Sequence, residues 1–286
     1  LKLGIYEDAG TATCAGFPGS YGHYAQDAKT FASWGADYLK LDWCNMPFGD
    51  FPGETHQQVA QTLYTQMSDA LTATGRPIVF SMCNGWDSSV QPQTWAQPVA
   101  NLWRTTSDIS DSFGSMLSNF SQNVQYWRDA RPVAWNDPDM LEVGNGGMTP
   151  VEYRTHMSLW ALLAAPLLAG NDLTKMTPDT LAILTNREVV AIDQDPAGRQ
   201  GDRVTAEGPL EVWAKPLSRG GKAVGLFNLS DQPSYVEVNY ADLGIRTLVA
   251  TRDVWAAKDL GKLRSYRVLV MGHGVVLLRL GAPSAG

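Results

Sequence analysis

The sequence predicts an α/β protein in which a (β/α)8 barrel, truncated at its front, is followed by an antiparallel β-sandwich. Strand-like and helix-like runs alternate up to about residue 196, which is typical of a parallel sheet covered by helices. The loops that follow the strands are long and polar, whereas the loops that enter them are brief. A barrel shows this asymmetry because its site is built at the C-terminal strand ends. From residue 203 onward, short alternating runs replace the helical periodicity, so we predict two domains, residues 1–202 and 203–286.

Six strands are predicted for the barrel, two fewer than a closed (β/α)8 barrel contains. They cover residues 2–7, 36–42, 77–83, 101–107, 133–141 and 164–169, with helical patterns at 25–34, 56–74, 111–129, 151–163 and 178–185. The chain opens at Leu1 inside a strand-like run, without a Met or an apolar leader. We therefore expect a fragment that lacks the first two barrel strands and any export signal.

The predicted sandwich contains seven short strands joined by turn residues. They cover residues 204–207, 210–216, 222–229, 234–239, 246–250, 265–271 and 273–280. Alternation of apolar and polar residues in runs of this length is typical of antiparallel sheets with one buried face.

Composition excludes several classes of partner and cofactor. The chain has 286 residues with 44% apolar and 18% charged residues, and no apolar run is long enough to span a bilayer. A net charge of -7 without a basic cluster argues against nucleic acid and anionic membranes as partners. The four histidines share no ligand spacing and the three cysteines form no C-x-x-C pair, so we expect no metal. One disulfide with one free thiol, or three reduced thiols, both fit the cysteine count.

Two acidic residues at predicted strand ends indicate the chemistry. Asp42 closes one β-prone run with Lys40 two residues before it, and Asp108 closes another with Arg104 four residues before it. Side-chain alternation places each cation on the same side as its carboxylate. Glycoside cleavage needs one carboxylate to attack or to activate water and a second carboxyl group to protonate the leaving oxygen. Trp103 or Trp86 would give Asp108 the less polar wall that keeps an acid protonated.

A structural interpretation competes with the catalytic one. Asp often caps the helix that follows a strand, and Lys40 and Arg104 would then be surface partners of Asp42 and Asp108. For one isolated Asp the capping role is favoured. Because two such Asp residues occur here, each with a cation and aromatic residues arranged in the same way, we favour catalysis.

A third acidic cluster, Trp135-Asn136-Asp137-Pro138-Asp139-Met140-Leu141, ends another predicted strand. Pro138 biases the residue before it toward an extended conformation, so the run is interpreted as a strand edge that turns into a loop. Asp139 is a candidate ligand for sugar hydroxyls.

Several motifs in order resemble the α-galactosidase and α-N-acetylgalactosaminidase family, glycoside hydrolase family 27. They are Leu3-Gly4-Ile5-Tyr6, Cys14-Ala15-Gly16-Phe17-Pro18-Gly19-Ser20, Leu39-Lys40-Leu41-Asp42, Trp103-Arg104, the 135–141 run and Ala191-Ile192-Asp193-Gln194-Asp195-Pro196. The resemblance covers nearly the whole chain. It implies a retaining mechanism with Asp42 as nucleophile and Asp108 as acid/base.

The resemblance also implies roles for other residues. Arg104 resembles the ligand of the hydroxyl next to the anomeric carbon, and Lys40 resembles another sugar ligand. The remaining positions expected to line the pocket are Tyr6, Cys83, Asp139, Met140 and, in the adjacent loop, Trp86. Cys14 and Cys44 match a disulfide pair of the family, which leaves Cys83 as a free thiol. The family's Trp and paired Asp ligands for the far hydroxyls have no counterpart here.

These observations predict a retaining exo-acting hydrolase that releases terminal α-linked galactose from oligosaccharides or glycoconjugates. Carbohydrate is the expected partner, no cofactor is required, and a secreted or extracytoplasmic location is expected. The alternatives are β-L-arabinopyranosidase or α-N-acetylgalactosaminidase activity on the same scaffold. Gly85, in the loop that discriminates a 2-hydroxyl from a 2-acetamido group, leaves that choice open. An alternative from a different functional class is a non-catalytic galactose-binding protein.

The chain also contains two glycosylation sequons, Asn119-Phe120-Ser121 and Asn228-Leu229-Ser230. Such sequons are common by chance.

Overall fold

The computed structural model describes residues 2–84 and 87–281, and the chain forms two compact units. The first unit runs through Asp108 and includes Val133–Asp137, and the second comprises Ile109–Pro132 and the chain from Pro138 onward. Each unit has its own buried apolar clusters. The proposed domain boundary at residues 202 and 203 stays a prediction.

The first unit contains a parallel sheet of five strands in chain order. They are β1 (Gly4–Asp8), β2 (Tyr38–Asp42), β3 (Val79–Met82), β4 (Leu102–Arg104) and β5 (Trp135–Asp137). Sequential parallel pairing is the arrangement expected of consecutive barrel strands. Leu39 and Leu41 of β2 are fully buried in the core, while Lys40 between them is only half-buried. All five strands were predicted within a few residues at each end.

Two helices of this unit lie between strands, α1 (Tyr24–Ser33) and α2 (His56–Ala73). Helix α2 begins at a capping box, in which Thr55 accepts from the Gln58 N–H and the Gln58 side chain accepts from the Thr55 N–H. Its buried residues recur at three- and four-residue spacing, which places an apolar stripe against the sheet residues of the same cluster.

The second unit begins with helices α3 (Phe113–Asn123), α4 (Pro150–Leu163), α5 (Pro178–Leu184) and α6 (Arg187–Asp193). The sixth predicted barrel strand, residues 164–169, contributes one isolated parallel bridge between Leu141 and Ala169. Pro166 lacks the N–H that a ladder needs, which explains why this run does not extend into a strand.

The rest of the second unit is antiparallel. A six-stranded sheet contains β6 (Asp202–Glu207), β7 (Leu210–Pro216), β8 (Lys222–Asn228), β10 (Val249–Asp253), β11 (Lys258–Leu263) and β13 (Gly274–Leu280). Strands β9 (Ser234–Asn239) and β12 (Ser265–Val270) form a two-stranded sheet. Val224 and Leu226 of the larger sheet share a buried cluster with Val236 and Val238 of the smaller one. This packing of two sheets confirms the predicted sandwich.

Both glycosylation sequons have a buried Asn. The Asn119 amide donates to the Pro138 carbonyl at 3.0 Å, and the Asn228 amide donates to the carbonyls of Gln232 and Val270 at 2.8 and 3.0 Å. Each side chain is therefore part of the packing of the unit. No helix within the described residues is long and apolar enough to cross a membrane.

Candidate active site

The candidate site lies at the C-terminal ends of the parallel strands of the first unit. Backbone register pairs Asp8, the last residue of β1, with Asp42, the last residue of β2. Farther along the sheet, Arg104 of β4 pairs with Asp137 of β5. Since neighbouring residues in register project to the same side of a sheet, these side chains form one charged layer at the edge where barrel enzymes carry their sites.

The Asp42 carboxylate is buried and held on both oxygens. The Tyr6 hydroxyl donates to Oδ2 at 2.8 Å, and the Trp43 N–H donates to Oδ1 at 2.9 Å. Burial, and after it the hydrogen bond to Asp42, raises the pKa of Tyr6, so its hydroxyl remains a donor. The carboxylate therefore has a fixed orientation, as an attacking group requires.

Asp8 is a site residue that the sequence interpretation missed. It is fully buried, its Oδ1 accepts from the Gly10 N–H at 2.7 Å, and its Oδ2 accepts from the Cys44 N–H at 2.9 Å. Burial, joined by the negative charges of Asp42 and Glu7, outweighs these two hydrogen bonds and raises the pKa of Asp8 to about 6. The signal was available, since Asp8 ends its strand as Asp42 does.

Glycine at position 10 is required by the close approach of two loops. A Cβ there would lie 2.1 Å from the Cys44 carbonyl oxygen, which is shorter than any real contact. The loops after β1 and β2 are therefore held together at the Asp8 carboxylate.

A disulfide joins Cys14 and Cys44 in the same two loops, as the family resemblance implied, and Cys83 is a buried free thiol. One oxygen each from Asp8 and Asp42 and the two disulfide sulfurs lie within 4.8 Å of one another. Because the sulfurs are bonded to each other, only two carboxylates in this cluster remain as ligands for a cation, fewer than a structural zinc site uses.

Cys83 and Arg104 lie at the next two strands. An Arg104 Nη1–H points at the Cys83 sulfur over 3.6 Å, and burial raises the pKa of the thiol to about 12, against the lowering effect of Arg104 and Lys40. The thiol is therefore neutral. Lys40 and Tyr6 are paired in register on β2 and β1, which places these two predicted ligands side by side.

Asp108 follows β4 and is bound by Arg104. The Arg104 Nη2–H donates to Asp108 Oδ1 at 3.0 Å, and the Arg104 side chain is 2% exposed whereas the Asp108 side chain is 92% exposed. Trp103 does not form the expected wall, because it is fully buried in the core cluster, where its indole N–H donates to Asn136 Oδ1 at 3.1 Å. Trp86 lies outside the described residues.

Asp139 and Met140 belong to the second unit. Asp139 has a positive φ of 85°, and its carboxylate accepts from the N–H groups of Ile109 and Met140 at 2.9 and 2.8 Å. The Trp160 indole donates to the Asp139 carbonyl at 2.8 Å, so this turn is fixed from several directions. Met140 is partly exposed.

Comparison with known proteins identifies the family of the chain. The family model described as alpha galactosidase A matches residues 1–195, and the model described as the alpha galactosidase C-terminal beta sandwich domain matches residues 207–280. The chain belongs to the α-galactosidase family. The resemblance to glycoside hydrolase family 27 and the predicted barrel-and-sandwich fold class are thereby confirmed.

Individual members of the α-galactosidase family match most of the chain. Alpha-galactosidase 2 of Arabidopsis thaliana is 50% identical over 258 residues, which are 89% of this chain and 62% of that protein. The crystal structure of alpha-galactosidase I from Mortierella vinacea is similar with a TM-score of 0.91 at 34% identity, covering 100% of this chain and 78% of that one. Alpha-N-acetylgalactosaminidase of Gallus gallus is 39% identical over 97% of this chain and 70% of that protein. The chain spans about 60% of the length of the plant relatives that it matches.

Proposed function

We propose that this chain is a retaining exo-glycoside hydrolase that releases terminal α-linked galactose from oligosaccharides or glycoconjugates. Asp42 is the nucleophile and Asp108 the acid/base in this proposal. One observation carries it: Asp42 is buried at a strand end, with both oxygens oriented by hydrogen bonds, in a chain of the α-galactosidase family. A carboxylate that only capped a helix would not need the Tyr6 hydroxyl.

The reaction follows in two displacements. An oxygen of Asp42 bonds to the anomeric carbon while the bond to the leaving oxygen breaks and Asp108 supplies its proton. Water then attacks the same carbon, Asp108 takes a proton from that water, and the ester bond to Asp42 breaks. Arg104, which holds Asp108, and Lys40, beside Tyr6, are proposed to bind the sugar hydroxyls.

The other predicted ligands complete the proposal. Tyr6 and Cys83 form walls next to Asp42 and Arg104, and Asp139, Met140 and Trp86 are proposed to contact the sugar. Carbohydrate is the only partner proposed. The Cys14–Cys44 disulfide supports a secreted or extracytoplasmic location, because disulfides persist in oxidising compartments.

The nucleophile is tested by Asp42→Asn in the full-length protein with a nitrophenyl α-galactoside. We expect turnover to fall by more than about a thousandfold, because the covalent step is lost while the side-chain volume is kept. Asp69→Asn, at an exposed position of helix α2, is the matched control and should leave turnover unchanged. Turnover that survives Asp42→Asn removes Asp42 from this role. If the unmodified protein binds galactose but does not turn over the substrate, it is a non-catalytic galactose-binding protein.

The acid/base is tested by Asp108→Ala with two leaving groups. A poor leaving group should lose about 10²- to 10⁴-fold in rate, the usual contribution of general acid catalysis. A dinitrophenyl leaving group needs no proton, so its first step should stay fast and give a burst. Equal losses with both leaving groups would contradict the assignment.

The runner-up activity is α-N-acetylgalactosaminidase, favoured by the similarity to the Gallus gallus enzyme. Specificity constants for nitrophenyl α-galactoside, α-N-acetylgalactosaminide and β-L-arabinopyranoside distinguish the three scaffold-compatible activities. We expect the α-galactoside to have the largest value. A larger value for either other substrate would replace galactose in the proposal.

A further inference from the structure

Asp8 and Asp42 form a buried pair of like charges. They end neighbouring parallel strands in register, and one carboxylate oxygen of each lies within 4.8 Å of the other. Two carboxylates at this distance, removed from water, repel each other when both carry a charge. A role confined to holding the loops together would be met by a neutral acceptor, so the charge of Asp8 requires its own explanation.

The two members of the pair have different partners. Asp42 accepts from a side-chain hydroxyl and one main-chain N–H. Within the described residues, Asp8 accepts from main-chain N–H groups of the two joined loops and from no side chain. Among the described residues, the charged groups of the strands that raise the pKa of Asp8 are Asp42 and Glu7, both acidic. Other titratable groups near it are Tyr6 of β1, Tyr24 of α1 and Tyr64 of α2, with Asp27 of α1 acting on Glu7.

We propose that Asp8 is a positioning residue whose charge controls how readily Asp42 bonds to the sugar and leaves it. This inference rests on the proposed role of Asp42 as nucleophile. Asp8 touches neither the sugar nor the leaving group in this proposal, and it acts only through the neighbouring carboxylate.

The charge of Asp8 has opposite effects on the two displacements. When Asp42 bonds to the anomeric carbon its negative charge is neutralised, so an ionised Asp8 favours this step by relieving repulsion. When the ester breaks, the charge on Asp42 returns beside Asp8, so an ionised Asp8 opposes this step. Because the pKa of Asp8 is raised to about 6, Asp8 changes its charge in a pH range in which the rates of both steps can be measured. A purely structural role would not shift the two steps in opposite directions.

The pair itself is tested without any assay of turnover. In the chain labelled with [13C]aspartate, the Asp8 carboxyl signal, assigned with Asp8→Asn, should titrate near pH 6. In Asp42→Asn, which keeps every Asp8 contact, it should titrate at least about half a pH unit lower, because one like charge is gone. Asp69→Asn should leave the Asp8 titration unchanged. An Asp8 titration that is the same with and without the Asp42 charge overturns the proposal.

The kinetic consequence is tested in the full-length protein with a dinitrophenyl α-galactoside. The ratio of the burst rate constant to the steady-state rate constant should rise about three- to tenfold as the pH increases through 6. A change of this size is expected if the electrostatic interaction between Asp8 and Asp42 is equivalent to about half to one pKa unit. In Asp8→Asn the ratio should not change across this range. A rise that persists in Asp8→Asn overturns the proposal. Absence of any turnover in the unmodified protein refutes the proposed function instead, and the carboxyl titration still decides whether the pair exists.

Discussion

Two buried carboxylates, one in each unit, have opposite neighbours. In the first unit Asp8 lies beside Asp42, another acid. In the second unit Asp193, at the end of α6, interacts with Lys215 of β7, whose ammonium is fully buried and donates to the carbonyls of Ala161 and Asp193 at 2.9 and 3.2 Å. Burial has the largest effect on the pKa of both partners of this second pair. It raises the pKa of Asp193 to about 7 despite Lys215, and it lowers the pKa of Lys215 to about 8.

The difference separates a structural charge from a functional one. A buried acid in a scaffold has a cation to compensate it, because an unpaired charge is costly there. Like charges are kept together at a cost to stability, and such arrangements cluster where chemistry requires them. In the proposed function, the Asp8–Asp42 pair is of this second kind. Changes to each pair should therefore have different effects, and three measurements test that comparison.

The largest expected effect is that of Lys215→Met. The change leaves the Asp193 carboxyl group buried without its cation and removes two hydrogen bonds, so the free energy of unfolding should fall by about 3–5 kcal/mol. Lys258→Met, at an exposed position of β11, is the matched control for chemical denaturation. Adding Asp193→Leu to Lys215→Met should recover part of the loss. Equal effects of Lys215→Met and Lys258→Met would show that the buried pair is not structural.

A smaller effect is expected from Asp8→Asn, and it depends on pH. Because the pKa of Asp8 is raised in the folded chain, its contribution to stability is fully present below the ordinary value of 3.8 and is lost as the pH rises through about 6. The unmodified chain should therefore lose on the order of 1 kcal/mol relative to Asp8→Asn between pH 4 and pH 7, after allowance for screening by solvent. Urea denaturation at the two pH values measures the difference. If the difference in free energy of unfolding between the unmodified chain and Asp8→Asn were the same at both pH values, the Asp8 charge would not be destabilising.

The smallest effect is expected from Asp259→Asn in the second unit. Arg252 binds Glu188 through two nitrogens, with distances from 2.8 to 3.1 Å, and reaches Asp259 at 3.0 Å. Asp259 is 82% exposed, so the free energy of unfolding should change by less than about 0.5 kcal/mol. A loss of more than 1 kcal/mol in thermal or urea denaturation would show that exposed charges contribute as buried ones do, and the comparison above would fail.

Hydrophobic periodicity was sufficient to predict most elements of the fold. All five parallel strands and the helices α1–α5 were predicted from it, because their buried faces leave a strong pattern. Strand β11 was missed because its sequence, Lys-Asp-Leu-Gly-Lys-Leu, is mostly exposed and contains Gly261 at a positive φ of 84° next to a register shift. Helix α6, which has seven residues, was missed as well.

The candidate site was predictable only in part. Residue type and strand-end position led to the prediction of Asp42 and Arg104 as site residues, and their roles stay predictions. The register that pairs Asp8 with Asp42 depends on how two strands align, which cannot be deduced from a local sequence pattern. The same limit explains Trp103, which the sequence placed beside Asp108 and the structure places in the core. Exposure of Asp108 depends on a loop path, and loops carry little periodic information.

The packed asparagines of the two sequons have a practical consequence for producing the protein. An oligosaccharide transferred to Asn228 while the chain is being synthesised would take the place of its bonds to Gln232 and Val270, and one on Asn119 would displace its bond to Pro138. Hosts without asparagine-linked modification should therefore give a higher yield of native material than secretory eukaryotic cells. Replacing Ser121 and Ser230 by Ala should restore the yield in such cells, with the loss of the two hydrogen bonds that the Ser230 hydroxyl donates to Asn228 and Gln232.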